Sequence, residues 1–339
     1  MAHRFLLIQT AFLGDVVLAT AVAEKLHAFF PDATIDFVVR KGAENLLANN
    51  PHLRTVWVWD KKKGKGFNLL KLAFSLRREG YTHTINMQRF FTSGLLTVLS
   101  GAPVRIGFDK NPLSAFYTLA LPHVISGKDN PQPVHELERN QSLIAALTDE
   151  TPALPRVYPS AIEEAAILPH KQAPYYCISP ASVWATKQYP TEGWSQLINT
   201  LPDTVPVYLL GGPGDTDLCE SIRQQCTSDR VQNLSGTCSL LASAALMRDA
   251  LHNWTNDSAP LHLCTATGAR VTAVFCSTIP QFGFGPAGLN GRIAQFPGDL
   301  YCRPCGLHGH KVCPEGHFRC AREIPLSDLR GGLSGTFIS

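Results

Sequence analysis

Charge is scarce in this chain: Asp, Glu, Lys and Arg make up 17% of residues, against 45% hydrophobic. That balance excludes a disordered polymer and indicates a well-filled globule. The formal net charge of +3 is too small to argue for a nucleic-acid partner. No apolar run reaches the roughly 20 residues that a membrane-spanning helix needs. The opening His3-Arg4-Phe5-Leu6-Leu7-Ile8 is too short for a signal core and has no cleavage site after it, so a cytoplasmic location is expected. In a reducing compartment the ten cysteines are expected as thiols or metal ligands. Low-complexity tracts and short-period repeats are absent. So is a complete G-x-G-x-x-G fingerprint, since Gly211-Gly212-Pro213-Gly214 lacks the third glycine. This last absence counts against an NAD-dependent oxidoreductase or epimerase.

What is present is alternation. Strand-like runs at 4–9, 34–39, 55–59, 82–87 and 105–108 are separated by helix-like segments at 16–30, 43–48, 69–79 and 93–100. A proline-rich connection at 151–174 follows, and the pattern restarts. The second series has strands at 175–179, 205–210, 231–233, 251–254 and 271–275, and helices at 194–200, 217–225, 239–249 and from Pro260. Such alternation predicts an α/β fold with parallel sheets covered on both faces. A chain of 339 residues is expected to form two domains, placed at 1–165 and 174–339.

Ligands of open parallel sheets bind beyond the carboxyl ends of the strands. Three loops are candidates on that ground. The first is Gln9-Thr10-Ala11-Phe12-Leu13-Gly14-Asp15, in which Asp15 is either a helix-capping carboxylate or a general base. The second, from Ser179 to Pro190, carries Ser182, Thr186 and Lys187, hydroxyls and a compact cation suited to phosphate oxygens. The third is Asn256-Asp257-Ser258-Ala259-Pro260-Leu261-His262. It opens a helix that Asp257 or Ser258 could cap, with Pro260 in the first turn and His262 as a further donor. The N-terminal end of such a helix attracts anions, phosphate above all. Asp215 and Asp217 follow the strand at 205–210 and offer either a helix cap or acceptors for ribose hydroxyls.

Two further features stand apart. Lys61-Lys62-Lys63 with Lys65, and Lys71 with Arg77-Arg78, are basic runs that suit an anionic membrane or an acidic acceptor, or simply a solvated face. Near the end of the sequence, Cys302, Cys305, Cys313 and Cys320 fall within twenty positions, interspersed with His308, His310 and His317. They are compatible with a structural zinc site and equally with thiols that pack a small loop.

Taken in order, these motifs resemble glycosyltransferase family 9, the ADP-heptose:lipopolysaccharide heptosyltransferases. The resemblance covers nearly the whole chain and rests on the three loops, with Ile85-Asn86-Met87-Gln88 and Arg105-Ile106-Gly107-Phe108 as an acceptor-side pattern. The cysteine-rich segment is similar to one common in the family's second-heptose members. The resemblance implies a GT-B architecture, two Rossmann-like domains facing a cleft, with acceptor on the N-terminal and sugar nucleotide on the C-terminal domain. It implies Asp15 as the base and Lys187 as a phosphate-binding lysine with Ser182 and Thr186 beside it. It also implies that Asp257, Ser258, Ala259 and His262 hold the pyrophosphate and donor sugar, with Asp215 or Asp217 at the ribose. Ala259 replaces a frequent glycine, Gln188-Tyr189 a frequent Arg-Trp, and Asn86 a frequent aspartate.

The expected activity is inverting, metal-independent transfer of a heptose from ADP-heptose to a sugar hydroxyl of the lipopolysaccharide inner core. No cofactor is expected to be required, and peripheral contact with the inner face of the cytoplasmic membrane is expected. A noncatalytic sugar-nucleotide-binding relative is the remaining alternative.

Overall fold

Apolar runs separated by helices build two parallel six-stranded sheets in a computed structural model, which describes residues 3–61, 65–130 and 132–331. Lys62 and Lys63 of the first basic run lie outside the described residues. Two compact units result: one runs to Ile125 and takes in Val134–Tyr158, the other comprises Ser126–Pro133 and the chain from Pro159.

The first unit contains β1 (Arg4–Ile8), α1 (Leu13–Phe29), β2 (Thr34–Arg40), β3 (Thr55–Trp59), α2 (Lys65–Arg78), β4 (His83–Asn86), α3 (Phe91–Leu99), β5 (Val104–Phe108), β6 (Leu119–Leu121) and α4 (Glu136–Ser142). Phe5, Leu6, Leu7 and Ile8 are fully buried, as a central parallel strand covered on both faces requires. Helix α1 starts three residues earlier than the apolar periodicity suggests. Asp15 sits in its first turn and accepts the Phe12 N–H at 3.2 Å, a favourable place for a carboxylate. The helix expected at 43–48 is only a 3₁₀ turn, Glu44–Leu46, because Asn49-Asn50-Pro51 stops it.

The second unit contains α5 (Ala161–Ile167), β7 (Tyr176–Ser179), α6 (Thr191–Asn199), β8 (Val207–Leu209), α7 (Thr216–Gln224), β9 (Val231–Asn233), α8 (Leu240–Asp249), β10 (His252–Asn256), α9 (Ala259–Thr267), β11 (Val271–Phe275), β12 (Gly291–Gln295), α10 (Arg319–Arg322) and α11 (Leu326–Arg330). Trp194 and Trp254 are fully buried in its core, and the Trp254 indole N–H donates to the Leu329 carbonyl at 2.8 Å, tying α11 to the sheet.

The sheet orders are β3-β2-β1-β4-β5-β6 and β12-β11-β10-β7-β8-β9. Counted within its own unit, each follows the sequence 3-2-1-4-5-6, so the second unit repeats the topology of the first. The order reverses between β1 and β4 and between β7 and β10, and open sheets bind ligands outside the strand ends at that point. The sequence reading omitted β6 and β12, the sixth strand of each sheet. Both are edge strands: one is three residues long, and the other mixes Gly291, Arg292 and Gln295 with only two aliphatic positions.

Candidate active site

In the second unit the switch-point loops converge on one lysine. The loop after β7 closes in a 3₁₀ turn, Ala185–Lys187. Both ends of this loop are held by the last side chain of β10. Asn256 accepts the Tyr189 N–H at 3.0 Å and donates to the Pro180 carbonyl at 2.6 Å. The Lys187 ammonium lies 2.6 Å from Asp257 Oδ2, and the same oxygen accepts the Thr278 hydroxyl at 2.6 Å. The two charged side chains are 15% and 8% exposed, so the pair is shielded from water and its geometry is tightly held. An ammonium has three donors, so one carboxylate does not exhaust it, and phosphate oxygens are natural further partners.

Asp257 therefore does not cap α9, as one sequence expectation had it; its carboxylate is committed to Lys187 and Thr278. Ser258 occupies the N-cap position, yet its hydroxyl makes no capping bond and instead lies 3.4 Å from the Asn256 carbonyl. The nine-residue α9 begins at Ala259 with Pro260 in its first turn. His262 follows in that turn, buried, its ring edge-on to Phe284 at 6.3 Å between centroids. The start of α9, with the positive end of its dipole, thus lies in sequence directly beside the Lys187 partner.

Thr186 is buried and bonded on every side. Its Oγ1 accepts the His310 N–H at 2.7 Å and the Ser277 hydroxyl at 3.1 Å, and its backbone N–H donates to the His310 carbonyl at 3.0 Å. Its hydroxyl is a structural knot. Ser182 is half-buried, with its carbonyl accepting the Gln188 side-chain amide at 2.7 Å. Asp215 accepts the Gly212 N–H at 2.8 Å and so caps its own turn, while Asp217 is exposed in the first turn of α7. Of the two readings for this pair, the structure gives Asp215 the local cap.

The cysteine-rich segment wraps this region, a role the sequence reading did not assign. Arg303 is buried, and its guanidinium donates to the carbonyls of Cys276 at 2.8 Å and Thr278 at 2.8 Å and to the Gln295 side chain at 2.9 Å. Burial holds its pKa below the usual arginine value. Gly309 has φ +77°, and a Cβ there would stand 2.8 Å from Thr186 Oγ1 and 2.9 Å from Ser277 Oγ. Only glycine fits both the backbone and the space. Among the described residues no group of three or more His, Cys, Asp or Glu side chains is arranged to hold a metal ion, so the zinc site considered at Cys302, Cys305, Cys313 and Cys320 is not preformed. Cys305 instead donates to the Cys302 carbonyl at 3.1 Å, and burial pushes the Cys320 thiol up to about 12.

In the first unit the corresponding loops carry Asp15, half-buried at the start of α1. Thr10 donates to Gln88 at 2.8 Å, joining the loops after β1 and β4, and the Lys61 ammonium donates to the Thr10 carbonyl at 2.9 Å. Asn86 donates to the Tyr117 hydroxyl at 2.8 Å and accepts the Gln88 N–H at 3.0 Å. The asparagine that departs from the family pattern is thus engaged internally.

Residues 69–316 match the family model of glycosyltransferase family 9 (heptosyltransferase). The chain belongs to that family. Among similar proteins is lipopolysaccharide heptosyltransferase 3 of Escherichia coli, 26% identical over 288 residues, which are 79% of this chain and 82% of that one. The solved structure of E. coli ADP-heptose lps heptosyltransferase II superposes with a TM-score of 0.76 at 19% identity, covering 97% of each chain. That of E. coli heptosyltransferase WaaC with ADP-2-deoxy-2-fluoro heptose gives 0.68 at 21% identity, over 87% of this chain and 94% of that one. These likenesses establish the fold as the α/β, doubly Rossmann-like one implied by the sequence motifs. A family 9 glycosyltransferase has no use for a dinucleotide fingerprint, so the oxidoreductase or epimerase alternative is not favoured.

Proposed function

We propose that this glycosyltransferase transfers a heptose from ADP-heptose to a sugar hydroxyl of the lipopolysaccharide inner core. The observation that carries the reading is the Lys187–Asp257–Thr278 arrangement at the β7/β10 switch point, next in sequence to the start of α9. It presents a fixed cation and a positive helix end where a nucleotide-sugar pyrophosphate would lie.

In this reading the acceptor oxygen attacks the anomeric carbon as Asp15 takes its proton. The bond from that carbon to the pyrophosphate breaks, and its electron pair leaves with ADP. Lys187 and the amides at the start of α9 stabilise the growing phosphate charge, with His262 as a further donor. Ser182, Ser258 and Ala259 line the same loops, Thr186 holds Lys187 in place, and Asp217 is the more accessible carboxylate for a ribose contact. Direct displacement inverts the anomeric centre. Because protein cations and helix amides supply the countercharge, the transfer is proposed to need no metal and no cofactor. The N-terminal unit is assigned the acceptor and the C-terminal unit the donor. A lipid-anchored acceptor places the work at the inner face of the cytoplasmic membrane, with the enzyme in peripheral contact.

Calorimetry tests the donor assignment. In EDTA, ADP and ADP-heptose should bind, while UDP-glucose and NAD should not. Binding of a UDP-sugar or NAD in preference would overturn it. Turnover with ADP-heptose and a core acceptor in EDTA then separates a working enzyme from a noncatalytic relative.

A further inference from the structure

Helix α2 (Lys65–Arg78) has two apolar faces. Leu69, Leu72, Ala73 and Leu76 are buried against Leu6, Ile8 and Val38 of the first sheet. At about 100° per residue, Phe67, Leu70 and Phe74 fall on the opposite side. They are 76%, 45% and 65% exposed. Lys71, Arg77 and Arg78 border this second strip and are also exposed. The helix contains no acidic residue, and the carboxylate that follows it, Glu79, is paired with Arg4 and Arg54.

A surface helix needs only one apolar face to pack on its own sheet. A second one, aromatic and edged by charge of a single sign, fits a surface that is itself apolar beneath and anionic above. We propose that this face of α2 docks the protein on an anionic lipid bilayer. Phe67, Leu70 and Phe74 enter the acyl boundary, and Lys71, Arg77 and Arg78 meet lipid phosphates. A second copy of the chain fits less well, because a two-fold contact through this face would set like charges against each other. The inference rests on the reading that the acceptor is lipid-anchored, and it names the surface that brings the enzyme to it.

Flotation of the full chain with vesicles tests it. The wild type should float with phosphatidylcholine vesicles containing phosphatidylglycerol, and much less with phosphatidylcholine alone. Phe67→Ser/Phe74→Ser should weaken binding by at least about tenfold. Lys71→Gln/Arg78→Gln should weaken it by about fivefold per charge, an effect that added salt reproduces. All of these residues are exposed, and ADP affinity and melting temperature should stay at wild-type values. Wild-type flotation by both double variants, or no flotation by the wild type, would overturn the proposal. So would a dimer-to-monomer change in Phe67→Ser/Phe74→Ser with vesicle binding intact, which would make the face a self-association surface. The donor reading stands or falls separately, on calorimetry that none of these substitutions touches.

Discussion

Lys187 and Asp257 form a shielded ion pair, 2.6 Å apart, in which the carboxylate oxygen that meets the ammonium also accepts the Thr278 hydroxyl. The pair ties the loop after β7 to the residue that follows β10, so the lysine is a structural element, and in the proposed mechanism it is also the countercharge at the leaving group. Lys187→Met should therefore have two effects. It should reduce kcat by about 10²–10³-fold by removing countercharge at the leaving group. It should also cost roughly 3 kcal/mol of stability by orphaning a buried carboxylate. Adding Asp257→Asn should restore much of the stability in urea denaturation and none of the turnover. Recovered turnover in the double variant would remove Lys187 from the chemistry.

Asp15 behaves differently in this scheme, because it belongs to the acceptor side. Asp15→Asn should lower kcat by about 10²–10⁴-fold while the calorimetric affinity for ADP stays near wild type. A variant that loses ADP binding in proportion would contradict its assignment as the base.

Gly309→Ala tests whether the cysteine-rich segment shapes the donor loop. Its φ of +77° and the 2.8 Å approach to Thr186 Oγ1 make any Cβ costly, by about 1–3 kcal/mol. The melting temperature should fall and ADP affinity should weaken together. Lost stability with unchanged ADP affinity would separate the segment from the site.

His252 supplies a pH dependence. Burial, with repulsion from Arg292 and Arg270, pushes its pKa down to about 4, below the ordinary value of about 6.5. The unfolded chain thus takes up a proton at higher pH than the folded one. The stabilisation from neutral His252 is complete above about 6.5 and is lost as pH falls towards about 4. Unfolding free energies measured across that window should decline, and His252→Gln should flatten the decline. An equal slope in the variant would assign the acid sensitivity to other groups.

Much of this was legible in the sequence, for identifiable reasons. Strands such as β1 and β11 are short apolar runs closed by polar loops, and their alternation with helices dictates a parallel sheet. The edge strands β6 and β12 were not legible, because one is three residues long and the other is broken by polar positions. The three candidate loops bearing Asp15, Lys187 and Asp257 could be placed after strands because each is a polar break between a strand-like and a helix-like run. Which polar atom meets which could not. Asp257 looked like a cap for its own helix, yet its partners are a lysine seventy positions earlier and a threonine beyond the next strand. Asn256 looked like the end of a strand and proves to hold both ends of the Lys187 loop. The cysteine cluster pointed to metal, while the long-range bonds of this segment come from the Arg303 guanidinium and the His310 backbone, and Gly309 allows the close approach.

The contact between Thr186 and His310 spans 124 positions of chain. At a synthesis rate of about 5–20 residues per second, that interval lasts roughly 6–25 s. Once Phe275 has been added, the nascent chain contains β7 to β11 but still lacks the His310 contact that fixes the Lys187 loop. Nucleotide affinity should accordingly arise late and abruptly during translation, so that ligand capture by ribosome-bound chains of graded length would time the completion of the second unit.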